Sequence, residues 1–289
     1  MKKKLFFLTI CLSFLLLLPG SIKAGKLKFG VKISGGMDYL SVGDPNTVRQ
    51  GFTDHWKDAE TVYGSITTEG EFNAINWGFD FQTDVIIYLN KRFGLSIGFG
   101  YINGDSKKNS NEIIMNDTYS KTYETKMSAV PIIIGVYYSF PISSKVRFFL
   151  NGGPGYYFAK FSDNYRDEWS TGWSSRSQEA SASGIGFQGG LGFEYDISKN
   201  ISLVFEGQGR YAKISGFEGE QVWSNYKPDG GTTEGVLYYF EYYSSWLSDW
   251  YPIVKIRTEE PTGAEARNAR EAVVDFSGFL IRIGIKIRF

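Results

Sequence analysis

Residues 279–289 alternate without a break, with Phe279, Ile281, Ile283, Ile285, Ile287 and Phe289 on one face and Leu280, Arg282, Gly284, Lys286 and Arg288 on the other. Successive side chains of a strand point to opposite sides, so this is a β-strand with one apolar and one largely cationic face. The same period of two recurs upstream. Strand one, about Lys26–Tyr39, sets Phe29, Val31, Ile33, Met37 and Tyr39 against Lys28, Lys32, Ser34 and Asp38. Strand two carries Trp77, Phe79, Phe81, Val85 and Ile87, and strand three, after only Asn90-Lys91-Arg92, carries Phe93, Leu95, Ile97, Phe99 and Tyr101 opposite glycines and Ser96. Strands four to seven follow with Val130–Phe140, Val146–Phe158, Ile185–Tyr195 and Ile201–Tyr211. Pro154 cannot donate to a ladder and predicts a bulge in strand five.

Three short turns (90–92, 141–144, 196–200) alternate with four long connections, about 43–72, 103–121, 163–178 and 216–270. The pattern predicts an all-β, eight-stranded antiparallel up-and-down transmembrane β-barrel with its long loops on the extracellular side. One strand alone would fit a soluble sheet equally well. Sorting of the loops by length is what favours the membrane, as do aromatics at strand ends such as Tyr39, Trp77, Tyr101, Phe140 and Tyr211. A secreted lipocalin-like barrel is the alternative, with the opposite polarity inside and out.

The ends and the charge add a compartment. Lys2, Lys3 and Lys4, an apolar run from Leu5 to Leu18 and a small-residue end at Ala24 predict a signal peptide over residues 1–24, leaving a barrel domain of 25–289. The apolar run is too short for a stable membrane anchor. The one cysteine, Cys11, falls inside it, so no disulfide is expected in the mature chain. Without the lysines of that leader, 27 basic residues face 31 acidic ones, a net charge near −4. No concentrated basic face suggests a nucleic-acid partner.

Candidate chemistry is sparse. Gly184-Ile185-Gly186-Phe187-Gln188-Gly189 spells a dinucleotide fingerprint, but it runs on into a strand where a helix N-terminus would be needed. Its glycines are better read as room-makers in a narrow lumen. His55, the single histidine, stands near Thr53, Asp54 and Asp58 and is the one handle for a catalytic reading, since acylating or deacylating barrels and barrel proteases need a histidine beside a hydroxyl or acids. A lone loop histidine is usually just solvated, and no enzyme, cofactor or metal is expected. In a lumen that side chains nearly fill, charges must pair. Glu194, Glu206, Arg210, Arg282 and Lys286, with Asp80, Asp84 and Arg147, form the expected network, Glu206 and Arg282 lying on neighbouring strands.

Together these residues resemble the small eight-stranded outer-membrane β-barrels of the OmpA, OmpX and OmpW type. Arg282, Gly284, Ile287 and Phe289 match the C-terminal pattern that such proteins present to the barrel assembly machinery. The resemblance implies a bacterial outer-membrane location, contact with outer-membrane lipid and lipopolysaccharide, and loops that meet ligands or other surfaces from a rigid anchor. Its OmpW-like variant is a narrow channel for a small hydrophobic compound. A less favoured alternative is a lipid A-modifying enzyme. The last loop stands out with Tyr238, Tyr239, Phe240, Tyr242, Tyr243, Trp246, Trp250 and Tyr251. These aromatics predict a self-packed cap, an apolar contact surface, or both at once.

Overall fold

The computed structural model describes residues 28–105, 112–116, 119–227, 229–245 and 247–289; the expected signal peptide and Trp246 lie outside them. In chain order the elements are β1 (Lys28–Gly43), α1 (Asp44–Tyr63), β2 (Thr68–Glu69), β3 (Trp77–Tyr88), β4 (Phe93–Asp105), β5 (Glu112–Met115), β6 (Tyr119–Pro141) and β7 (Val146–Trp169). They continue with β8 (Gly172–Asp196), β9 (Ile201–Tyr211), β10 (Lys213–Ile214), β11 (Glu218–Asn225), β12 (Gly230–Ser244), β13 (Asp249–Arg257), β14 (Ala266–Glu271) and β15 (Val274–Arg288). Among the described residues eight strands close a ring, β1, β3, β4, β6, β7, β8, β9, β15 and back to β1, every neighbour antiparallel. Closure satisfies each edge, which a strand in lipid requires. The ladder keeps its register past Pro154, so no bulge forms there; the β6–β7 pairing is only interrupted at Pro154 and Gly153, opposite Ile134 and Gly135, and resumes in phase.

Polarity settles which solvent the ring meets. Ile33, Met37, Phe79, Phe99, Ile134, Phe187, Phe205, Ile281 and Ile283 point outward and are exposed, whereas Lys32, Asp80, Glu194, Glu206, Arg210, Arg282 and Lys286 point inward and are buried. A water-soluble barrel would reverse this. The apolar band runs nine residues on β4, Phe93 to Tyr101, and eleven on β6, Val130 to Phe140, the length a tilted strand needs to cross a bilayer.

Above the band the alternation continues with inverted phase. On β6 and β7 the outward positions become Lys126, Ser128 and Lys160, while Met127, Ala129, Ala159 and Phe161 are buried inside. Strands β6, β7 and β8 therefore run 23, 24 and 25 residues, far past the membrane. The stretch 163–178, expected as a loop, is a continuing hairpin of β7 and β8 that turns through Ser170 and Thr171 alone.

The connection 43–72, polar in sequence and expected as a loop, is mostly α1. Val48, Phe52, Trp56 and Ala59 recur at helical spacing and form its buried stripe. Pro45 stands in its first turn and Gly64 ends it in the left-handed region, φ 59°. Asp44 in that first turn takes a bidentate ion pair from Arg270, both contacts 2.6 Å, and a 2.7 Å bond from the Val273 N–H. Gly51 lets the helix lie directly on β13, because a Cβ there would sit 2.2 Å from Cγ of Pro252. The segment 216–270 folds as well. β11 takes over the wall beside upper β8, pairing with residues 174–181 above the point where β9 has ended. β13 turns its Ile253, Val254 and Ile256 into the core with α1. The half on the side of the long connections is thus a dome with an apolar interior and a polar exterior, set on a ring of opposite polarity.

Candidate functional site

Two fillings occupy the axis of the molecule. In the membrane ring the first is ionic. Nearest the short turns, Glu194 meets Lys286, Tyr137 and, at 3.2 Å, Arg147; Asp196 accepts from Arg147 at 2.5 Å and Arg288 at 2.7 Å. In the middle, Lys32 bridges Glu206 at 2.7 Å and Asp84 at 3.1 Å, and Asn151 donates to Glu206. Nearest the dome, Asp80 holds Arg282 at 2.5 Å and Arg210 at 3.0 Å, and Arg210 also pairs with Asp38. Glu206 and Arg282 are register partners on β9 and β15, but their own ion pairs run to Lys32 and Asp80. Lys32 and Asp38 complete the network; both already stood on the polar face of strand one. The cavity left between these groups, lined by Lys32, Gln82, Asp84 and Tyr137, is about 10 Å³, room for about one water. Glycines make this packing possible: a Cβ at Gly192 would lie 2.6 Å from the Phe149 ring.

The second filling is the dome core. Phe52 packs on Phe72, Tyr123, Tyr165 and Tyr251 with ring centroids 5.3–6.2 Å apart. Arg49, fully buried, donates to the Asn73 carbonyl at 2.6 Å and to the Tyr123 carbonyl at 3.3 Å. Lys121 lies 4.5 Å from the Trp56 ring centroid and 5.0 Å from that of Tyr119, and pairs with Asp167 at 2.8 Å. Burial pulls its pKa below the usual lysine range, against the pull of Asp167.

The aromatic last loop belongs to this interior. Phe240 is buried, and Tyr238, Tyr239, Tyr242, Tyr243, Trp250 and Tyr251 are half-buried. Tyr242 packs on Tyr251 and Tyr243 on Trp250, while Arg270 and Arg267 cover Tyr239 and Trp250 at 4.5 Å. Of the two readings open from sequence, this geometry is that of a self-packed cap. Apolar side chains exposed at the outer surface of the dome include Val62 and Tyr63 at the end of α1 and Val222, Trp223 and Tyr226.

His55 is buried under Tyr251, ring centroids 4.3 Å apart, with Trp56 edge-on at 5.4 Å. Thr53, its candidate partner, spends its hydroxyl on the Phe72 N–H at 2.8 Å and the Arg49 carbonyl. Burial lowers the His55 pKa to about 4, with Lys121 adding to the effect and Asp249 and Asp58 opposing it. The folded dome therefore favours neutral His55, and stability present above pH 6.5 is lost as pH falls toward 4. Tryptophan fluorescence of the dome is expected to show loosening across that window, and His55→Phe to remove this component; an unchanged profile in the variant would refute the assignment.

The C-terminal residues divide by face. Arg282 and Gly284 point into the ring, while Ile287 and Phe289 stand on the lipid side, Phe289 donating its N–H to the Phe29 carbonyl at 2.8 Å. Gly284 allows β15 to close on β1, since a Cβ there would be 2.3 Å from the Ile33 carbonyl oxygen.

On the outer wall just above the lipid band, two adjoining open hollows of about 950 and 1010 Å³ share Tyr101, Ser128, Lys160, Ser181 and Glu218.

No curated protein matches the sequence significantly. Among solved structures the chain is similar to the outer membrane protein OprG from Pseudomonas aeruginosa, at 9% identity over 91% of this chain and 96% of that one, TM-score 0.41. It is similar to the outer membrane protease OmpT from Escherichia coli at 10% identity over 93% and 100%, TM-score 0.44. A major outer membrane protein from Thermus thermophilus gives 15% identity over 92% and 100%, TM-score 0.41. The closed eight-strand ring with its lipid-facing band has a counterpart in the sequence itself, where residues 10–240 match a family of bacterial outer-membrane proteins: the chain belongs to the outer membrane protein beta-barrel domain family.

Proposed function

We propose that the protein is a non-conducting, non-enzymatic anchor of the outer membrane that holds a rigid dome above the outer leaflet for contacts with other surfaces. The observation that carries this reading is the filling of the lumen by paired charges, with a residual cavity of about 10 Å³. An ion would have to break buried pairs, and a small hydrophobic compound would have to cross that ionic layer and then the apolar dome core. The contact surface is assigned to the outside of the dome, where Val222, Trp223 and Tyr226 are exposed and Arg166 covers Trp173 at 4.7 Å. Residues Arg282, Gly284, Ile287 and Phe289 serve insertion by the assembly machinery. The burial of His55 argues against a lipid-modifying site around it, so His55→Ala is expected to leave lipid A acylation unchanged.

Conductance tests the reading. The refolded mature protein in a planar bilayer is expected to be silent both intact and without residues 216–270, because the ionic filling comes from the ring strands themselves. Discrete openings that appear on loop removal would make the protein a gated channel.

A further inference from the structure

We propose that the upper dome carries a site for an acidic saccharide, its carboxylate held by Lys255 with Arg176 and Arg257 and its ring laid on Trp223. The inference deepens the reading of the dome as a contact surface and rests on that part of it. The ladder registers and one side-chain clamp bring these residues together. Arg176 and Trp223 are direct cross-strand neighbours on β8 and β11, and Gln178 and Gln221 form the row below them on the same face. Gln178 donates its amide to the Val254 carbonyl at 3.0 Å and accepts from the Ile256 N–H at 3.2 Å. Lys255, the residue between, is thereby set against β8, and Arg257 shares its face of β13. Positive charge is in excess here. Among the described residues neither Lys255 nor Arg257 has an ion pair, and that of Arg176 is to the buried Asp163 at 3.8 Å, a carboxylate already taken by Gln178 at 2.9 Å and Thr125 at 3.2 Å. Arg176 Nε is buried without a hydrogen-bond partner, as is Gln221 Oε1 in the row below. Lys255 is half-buried, and burial, then the repulsion of Arg176 and Arg257, lowers its pKa to about 8. Keeping that ammonium beside two guanidinium groups without a counter-ion costs stability, which a bound anion offsets.

The sheet favours a sugar over a peptide. At these rows β8 lies between β7 and β11, and β11 between β8 and β12, so no edge is open for an extended peptide to add to. What is offered instead is an exposed indole among short polar groups. Trp223, 38% exposed, lies over Gly231, where a Cβ would be 2.8 Å from its Nε1, and the next row up is Ser174 with Asn225. A flat ring flanked by hydroxyl and amide groups suits both chemistries of a sugar, its C–H face and its hydroxyls. The carboxylate of an acidic residue in the chain then meets Lys255 as a charge-assisted acceptor.

The test is calorimetric titration of the refolded protein in detergent with hyaluronan hexasaccharide and with its carboxyl-reduced, neutral form. Wild type is expected to bind the acidic form about tenfold more tightly, the scale of one charge-assisted hydrogen bond. Lys255→Gln combined with Arg257→Gln should abolish that preference, and Trp223→Ala should weaken both forms alike. Lys199→Gln, in the short turn at the other end of the barrel, should change neither. Equal binding of the two forms by wild type, a preference that survives the double variant, or no effect of Trp223→Ala would overturn the proposal. So would hexaglutamate binding as tightly as the hyaluronan, which would mean a site for acidic peptide, or displacement by an equal concentration of sulfate, which would mean a site for the free anion. Binding by a protein that also conducts would overturn the non-conducting anchor and keep this site, whereas a silent bilayer without binding would overturn this site alone.

Discussion

Replacing Asp80 by alanine is expected to cost the refolded barrel about 3–5 kcal/mol, the penalty for removing one partner of a buried ion pair. Asp80 is the carboxylate for two guanidinium groups at once, Arg282 at 2.5 Å and Arg210 at 3.0 Å. Without it, Arg210 retains Asp38 and the Phe276 carbonyl at 2.7 Å, whereas Arg282, itself buried, loses its carboxylate. Urea unfolding in vesicles would measure the loss, and a change below about 1 kcal/mol would show that water reaches these arginines. Double-mutant cycles resolve the network further. Coupling between Asp80 and Arg282 should be large. Coupling between Glu206 and Arg282, register neighbours whose shortest ion pairs lie elsewhere, should be smaller.

The membrane ring was legible because lipid imposes one rule along every strand, apolar out and polar in, for nine to eleven residues. Each of the eight expected strands is present, and Glu194, Glu206, Arg210, Arg282 and Lys286 are buried. The dome was obscured by the same rule. From Ser128 on β6, Lys160 on β7 and Ser181 on β8 outward, water replaces lipid and the alternation changes phase, so a strand that continues reads as a pattern that stops. That is how 163–178 looks like a loop. For α1 the signal was present: Asp-Pro at its start and Val48, Phe52, Trp56 and Ala59 at spacings of three or four. Gly51 in the middle and the charged outer face concealed it. The roof over the ring comes from contacts distant in sequence, such as Asp44 with Arg270, which no local pattern encodes.

Replacing Arg49 by methionine is expected to release α1 from the dome while leaving the membrane ring folded. The side chain is fully buried and ties the helix to the Asn73 and Tyr123 carbonyls and, at 3.4 Å, to the Thr125 hydroxyl. Methionine keeps most of the apolar stem but removes those three bonds, and a buried acceptor left unpaired costs about 1–3 kcal/mol. Amide exchange over residues 44–63 should rise at least tenfold, about 1.4 kcal/mol of local stability. The urea midpoint of the ring should hardly move, because its ladder and ion pairs do not involve the helix. Two outcomes would refute this arrangement: unchanged exchange in α1, or a fall in ring stability equal to that of the dome. The second would mean that the apolar core and the ionic lumen form one cooperative unit. Separate responses are expected, since the two halves bury opposite chemistries and share little beyond the strands that run through both.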